Sequence, residues 1–156
     1  MEIESNINKE ILKKEKENVQ VNKALLIKGE QPRKAMVKYK SYYINIRNSK
    51  EALYAKERAN WKCEFNEQHI TFSTNSGKQY VETHHLIPLS FQKSFDSNID
   101  FADNLVSLCP ICHRLLHYAT IEEKEPILKE LFNNRQDKYS KYGIAITFDQ
   151  LLDCYK

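Results

Sequence analysis

Residues 80–118 constrain this chain more than any other stretch. They open Y-V-E-T-H-H-L-I-P-L-S, reach Asn104 after an intervening loop, and close L-V-S-L-C-P-I-C-H-R-L-L-H-Y. Four of the five histidines and two of the four cysteines fall here. Imidazoles and thiols crowded together, in a chain otherwise poor in them, point to a site, because packing alone has no need of them.

The spacing gives that site a shape. The run from Tyr80 to Leu86 favours a strand that stops at Pro88, so His84 and His85 lie near its end and point to opposite faces. One can bind a metal while the other faces a substrate. Cys109 and Cys112 have knuckle spacing, from which both thiolates reach one tetrahedral Zn²⁺ at about 2.3 Å. The following helix carries His113 and His117, four residues apart, on one face. Strand, loop, strand, knuckle and helix together predict that His84, His85 and His113 come within reach of one another.

In this order, H-H-x-x-P, a later Asn and C-x-x-C-H-x-x-x-H resemble the HNH endonucleases, most strongly over residues 63–118. The resemblance implies an α+β fold: a ββα-metal (HNH) core with a structural zinc, flanked by helices. It makes His84 and His113 ligands of a catalytic divalent ion and His85 the general base. His117 matches the position that supplies a third ligand in some members. Asn104 matches the central Asn, whose amide pins the loop backbone and holds His85 in line, or in some relatives sits at the metal. Arg114 is placed to touch a phosphate, although an exposed helix arginine would look the same.

The chemistry so implied is hydrolysis of a DNA phosphodiester, as in small bacterial restriction and phage-defence nucleases. These residues do not separate DNA from RNA. A neutral imidazole, with an ordinary pKa of about 6.5, takes a proton from water, while one divalent ion (Mn²⁺, Ni²⁺, Co²⁺ or Mg²⁺) relieves charge on the phosphoryl oxygens and the leaving alkoxide.

Many members of the family carry C-x-x-C ahead of the motif, where this chain has Cys63-Glu64-Phe65-Asn66. An Asn amide is a poor zinc ligand, so the fourth ligand beside Cys63, Cys109 and Cys112 is expected from His69 in the same local loop, or else from Cys154 at the far end. The other class of function is a non-catalytic zinc module that binds nucleic acid or a protein partner. The presence of both His85 and His113 favours the enzyme.

At 156 residues and 41% hydrophobic content, the chain suits one domain with appendages. Polar opening residues and the lack of a span-length apolar run predict no secretory leader, no membrane partner and a cytoplasmic setting, where cysteines serve as ligands before disulfides. Residues 1–50 carry ten Lys and two Arg against six Glu, a net of +6, and the remainder twelve basic against fifteen acidic residues, a net of −3. Such a segment suits the backbone of DNA, and equally a solvated lysine-rich helix. Double-strand cutting by one site per chain is compatible with a homodimer or a larger defence complex.

The expected divisions are a basic helical or mobile arm (1–35), a helical lead-in (36–60), the HNH nuclease core (61–120) and C-terminal packing helices (121–156). Within them, helices are expected over 8–20 and, after Ser49, over 51–59. A turn at 74–78 should join strands at 70–73 and 80–83. A Thr120 capping box opens a helix with Pro126 near its start and Gly143 at its end, and Thr147 caps the last helix.

Overall fold

A computed structural model describes residues 2–17, 20–39, 42–45 and 47–156. Along the chain run α1 (Glu2–Lys16), β1 (Val37–Tyr39), β2 (Tyr42–Ile44), α2 (Ser49–Arg58), β3 (Glu82–His85), β4 (Leu105–Leu108), α3 (Pro110–Tyr118), α4 (Ile121–Asn133) and α5 (Phe148–Asp153). β3 and β4 pair antiparallel, with Glu82 opposite Leu108 and His85 opposite Leu105, and β1 pairs antiparallel with β2. After β4 the chain passes through Cys109 and turns directly into α3, which packs back on β3. This ββα unit, with helices around it, is the expected α+β arrangement.

Local chemistry explains the sharp strand-to-helix turn. Cys109 is the cap of α3 and its sulfur accepts the Cys112 N–H at 3.4 Å, while Pro110 sits where a helix needs no donor. All four residues of β4 are buried, which suits its near-continuous apolar run; the exception, Ser107, donates to the Lys62 carbonyl at 2.9 Å. The main core lies between this sheet and the carboxyl-terminal segment, where Leu86, Val106, Leu108 and Leu116 meet Leu128, Leu131, Tyr139 and Leu151. Each such side chain contributes about 1.5–3 kcal/mol of burial.

A second, smaller cluster joins Ile11 of α1 to Ala52, Leu53 and Ala55 of α2 and Leu105 of β4. It is reinforced by a buried pair, Glu15 with Lys56 at 3.0 Å, to which Trp61 Nε1 also donates at 3.3 Å. Through these contacts α1 packs against α2.

Several local expectations need correction. The lead-in at 36–60 is not wholly helical, because β1 and β2 precede α2, and α2 is capped by Asn48 rather than Ser49. Aromatic and β-branched residues over 37–44 favour pairing over helix. The turn at 74–78 joins only an isolated bridge, Ser73 to Gln79, and β3 begins at Glu82. The helix opened at Thr120 stops at Asn133; a 3₁₀ segment, Gln136–Tyr142, follows, and Gly143 ends that segment in the left-handed conformation at φ 71°. Thr120 makes no capping hydrogen bond through its side chain, and Pro126 lies inside α4 rather than in its first turn. The carbonyl that Pro126 leaves without a donor belongs to Glu122, an exposed residue. Thr147 does form a reciprocal capping box with Gln150.

Candidate metal centres and active site

Two groups of metal-competent side chains come together. In the first, ligand atoms of Cys63, His69, Cys109 and Cys112 all lie within 4.8 Å of one another. His69 Nδ1 is 3.5 Å from Cys109 Sγ and 3.4 Å from Cys112 Sγ. Those separations match the S···N edge, about 3.5 Å, of a tetrahedron with Zn–S near 2.3 Å and Zn–N near 2.05 Å. The donor set therefore fits zinc. Burial and the neighbouring thiols push the Cys112 thiol well above its ordinary value, a clustering that a divalent cation would reverse by holding thiolates. Cys154 lies outside this group, with its thiol on the Gln150 carbonyl at 3.4 Å.

The second group is His84, His113 and His117, with ring centroids 4.8–5.1 Å apart. His113 and His117 project from one face of α3, and His84 meets them from β3. The Nε2 atoms of His113 and His117 are 3.0 Å apart, the edge that two nitrogens subtend at about 90° on bonds of about 2.1 Å. His113 is oriented by Glu82, whose carboxylate accepts from Nδ1 at 2.6 Å and so leaves Nε2 as the lone-pair nitrogen. That bond, opposed in part by burial and helped by Tyr80, holds Glu82 below the usual carboxylate range. His84 is buried, and desolvation, with the neighbouring histidines and Arg47, keeps its pKa well below the ordinary value. Both effects favour the neutral imidazole, the form that ligates. Tyr155 donates to the Leu86 carbonyl at 2.7 Å, so its oxygen accepts from His84 Nε2–H at 2.8 Å, and Nδ1 carries the His84 lone pair.

His85 stands apart from this triad, as alternation along β3 requires. It is only 7% exposed, and its Nε2 lies 2.8 Å from Oδ1 of Asp100, itself 2% exposed. The second carboxylate oxygen accepts the Asn48 N–H at 2.6 Å. Burial pushes Asp100 upward, but these bonds and the nearby Lys34 outweigh it, and the carboxyl sits below its usual range. An ionised Asp100 fixes Nε2–H on His85 and leaves Nδ1 free to accept a proton.

Asn104 is fully buried. Its Oδ1 accepts the Ile87 N–H at 2.9 Å, and its Nδ2 donates to the carbonyls of Ile99 at 2.8 Å and Ile87 at 3.1 Å. The amide thus ties together both ends of the loop that carries Asp100. Arg114 is exposed on α3, its guanidinium 6.0 Å from the Tyr118 ring centroid.

Three residues that touch the histidines were not singled out from the sequence. Glu82 could have been found, because it lies two positions before His84 and so on the same face of the strand. Asp100 is one of three aspartates in its loop, with nothing local to distinguish it. Tyr155 arrives from the far end of the chain with no signal at all.

Residues 63–119 match the HNH endonuclease family model, and that stretch is an HNH endonuclease domain. Over 57 residues it is 46% identical to the type IV methyl-directed restriction enzyme EcoKMcrA of Escherichia coli (strain K12). The match covers 36% of this chain and 19% of that enzyme, so the chain spans about one fifth of the length of its curated relative.

Proposed function

We propose that this chain is a metal-dependent endonuclease that hydrolyses DNA phosphodiester bonds in a restriction or phage-defence role. The observation that carries the reading is the carboxylate-backed triad of His84, His113 and His117 beside an Asp100-oriented His85, inside a stretch that matches the HNH family. The triad would hold one divalent ion, which supplies charge relief on the phosphoryl oxygens and the leaving 3′ oxygen. His85 takes the proton from the attacking water at Nδ1, and Asp100 keeps its ring and tautomer fixed. Asn104 holds the loop that delivers Asp100, and Arg114 contacts a phosphate from α3. Cys63, His69, Cys109 and Cys112 hold a separate structural zinc. Among the described residues no helix is long and apolar enough to cross a membrane; we place the protein in the cytoplasm with DNA, as a homodimer or within a larger complex.

Plasmid nicking measured with EDTA and with added divalent ions tests this reading, with an RNA substrate in parallel. Imidazole ligands favour Mn²⁺, Co²⁺ or Ni²⁺ over strongly hydrated Mg²⁺, so cutting should follow that preference. Cutting with Mg²⁺ alone would count against a three-histidine ion. DNA binding without cutting under any ion would leave a zinc module in place of an enzyme.

A further inference from the structure

A cleft of ≈ 500 Å³ opens between α1 and the segment that precedes β3. Its wall on the α1 side carries Lys9, Lys13 and Lys16, and its opposite wall carries Phe72, Thr74 and Tyr80. The one acid in the cleft lining, Glu15, is engaged by Lys56 and Trp61, and the nearby Glu10 by Lys14, so the lining itself carries three lysines against one already paired carboxylate. Phe72 stacks on Tyr80 with centroids 4.9 Å apart and planes 14° apart, yet Phe72 remains 64% exposed. An aromatic face held flat by a stacked partner and left open to solvent has no role in the core. A hydrogen-bond relay links the cleft wall to the histidine triad. Tyr80 donates to Glu82 Oε1 at 2.9 Å, and Glu82 Oε2 accepts from His113 at 2.6 Å.

We propose that this cleft seats an unstacked base of the DNA strand whose neighbouring phosphate lies at the triad, with the base on Phe72 and the flanking phosphates on Lys9, Lys13 and Lys16. The inference rests on the nuclease reading above and extends it beyond the HNH domain, since α1 lies outside residues 63–119. A ring face is usable by any base, because every base has a π-face, but only by one that is not stacked inside a duplex. The lysines act on the backbone and carry no sequence information. The site therefore selects single-stranded or locally unpaired DNA next to the cut, without selecting a sequence.

The test is fluorescence anisotropy with a short labelled single strand and with a blunt duplex, over a salt series, on the full chain. Phe72→Ala should weaken single-strand binding roughly 5- to 150-fold, the effect of losing one base–aromatic stack. Phe72→Trp should restore it, and duplex binding should change little in either variant. Lys9→Gln, Lys13→Gln and Lys16→Gln together should flatten the slope of log Kd against log salt by about 2, at about 0.7 per single-strand contact. Phe72 is exposed, so these variants should keep wild-type metal content and circular dichroism. A wild-type protein that binds and nicks DNA, beside a Phe72→Ala variant that binds as tightly, overturns the cleft and leaves the nuclease reading intact. Equal losses in Phe72→Ala and Phe72→Trp also overturn it, because stacking would then not be the cause. A wild-type protein that neither binds nor cuts DNA removes both.

Discussion

The two metal-competent groups meet at α3, one reaching back to Cys63 and His69 ahead of β3 and the other to His84 on β3, yet they are built in opposite ways. Cys63, Cys109 and Cys112 are buried, and with His69 they supply four soft or borderline donors that complete a tetrahedron. His84, His113 and His117 supply three imidazoles graded from buried to exposed, so the set opens toward solvent. A closed set holds segments together, whereas an open one leaves positions for water and substrate. The supporting contacts differ in the same sense. The cysteine group is framed by backbone and apolar packing, while Glu82, Tyr155 and Asp100 orient the histidines of β3 and α3. In the function proposed above, one cluster serves as a staple and the other as a poised reagent.

The sharpest way to break this contrast is to remove one ligand from each cluster. Structural zinc contributes about 10–16 kcal/mol to small domains, more than the whole stability of most of them, so Cys109→Ser and His69→Ala should lose bound zinc and cooperative unfolding together. Cys154→Ser should keep both. Metal analysis with thermal melts reads the result, and zinc loss in Cys154→Ser with retention in His69→Ala would reassign the fourth ligand.

Next in size is the division of labour within the histidines. His85→Ala should slow nicking by about 10²–10⁴ at every metal concentration while leaving Mn²⁺ affinity unchanged. His84→Ala and His113→Ala should lose Mn²⁺ affinity and recover part of their activity in excess Mn²⁺. Calorimetric Mn²⁺ titrations beside nicking rates decide it. If His85→Ala is the variant that loses the ion, the roles of the adjacent histidines are exchanged.

A smaller effect should follow from Glu82→Gln, which keeps shape and removes the charge behind His113. Mn²⁺ affinity should fall about 10–100-fold with zinc content unchanged. Equal loss of both metals would show that the two clusters are not independent.

The smallest expected effect lies outside both clusters. Burial raises Asp103, but Lys141, Tyr142 and Arg58 outweigh it, and its folded pKa is lowered. The contribution is therefore present above the unfolded value of about 3.9 and lost as pH falls through the lower folded value. Asp103 is buried but its lysine partners are solvent-exposed, and Asn keeps its shape, so Asp103→Asn should lower the melting temperature at pH 7 by a few degrees and flatten the acid side of the stability profile. A steep acid side in that variant would move the acid sensitivity into the clusters themselves.

Much of the ββα unit was legible because its information is local. H-H before Pro88, the knuckle at Cys109 and Cys112, and the four-residue spacing of His113 and His117 each fix a side-chain direction over a few residues. The rest of the chain was less readable for the same reason. The expected helical lead-in covers residues 37–44 although their aromatic and β-branched residues favour pairing, and the long carboxyl-terminal helical run breaks at Asn134, with Tyr139 and Tyr142 of the following 3₁₀ segment packed in the core. Asp100 looked like one loop aspartate among several, and only its burial against His85 distinguishes it.

By itself, then, the sequence determined which side chains could become ligands and which faces of strand and helix they would occupy, since those follow from the periods of 2 and 3.6 residues. Only the tertiary structure decided which of those side chains meet. It set His69 rather than Cys154 beside the three cysteines and brought Asp100 and Tyr155 to histidines 15 and 71 positions away. It also laid α1 against the segment before β3 to form a basic, aromatic-walled cleft. The physical reason is that chain separation carries no directional signal, so contacts between distant segments are fixed only when burial and hydrogen bonding of the whole core select a single arrangement.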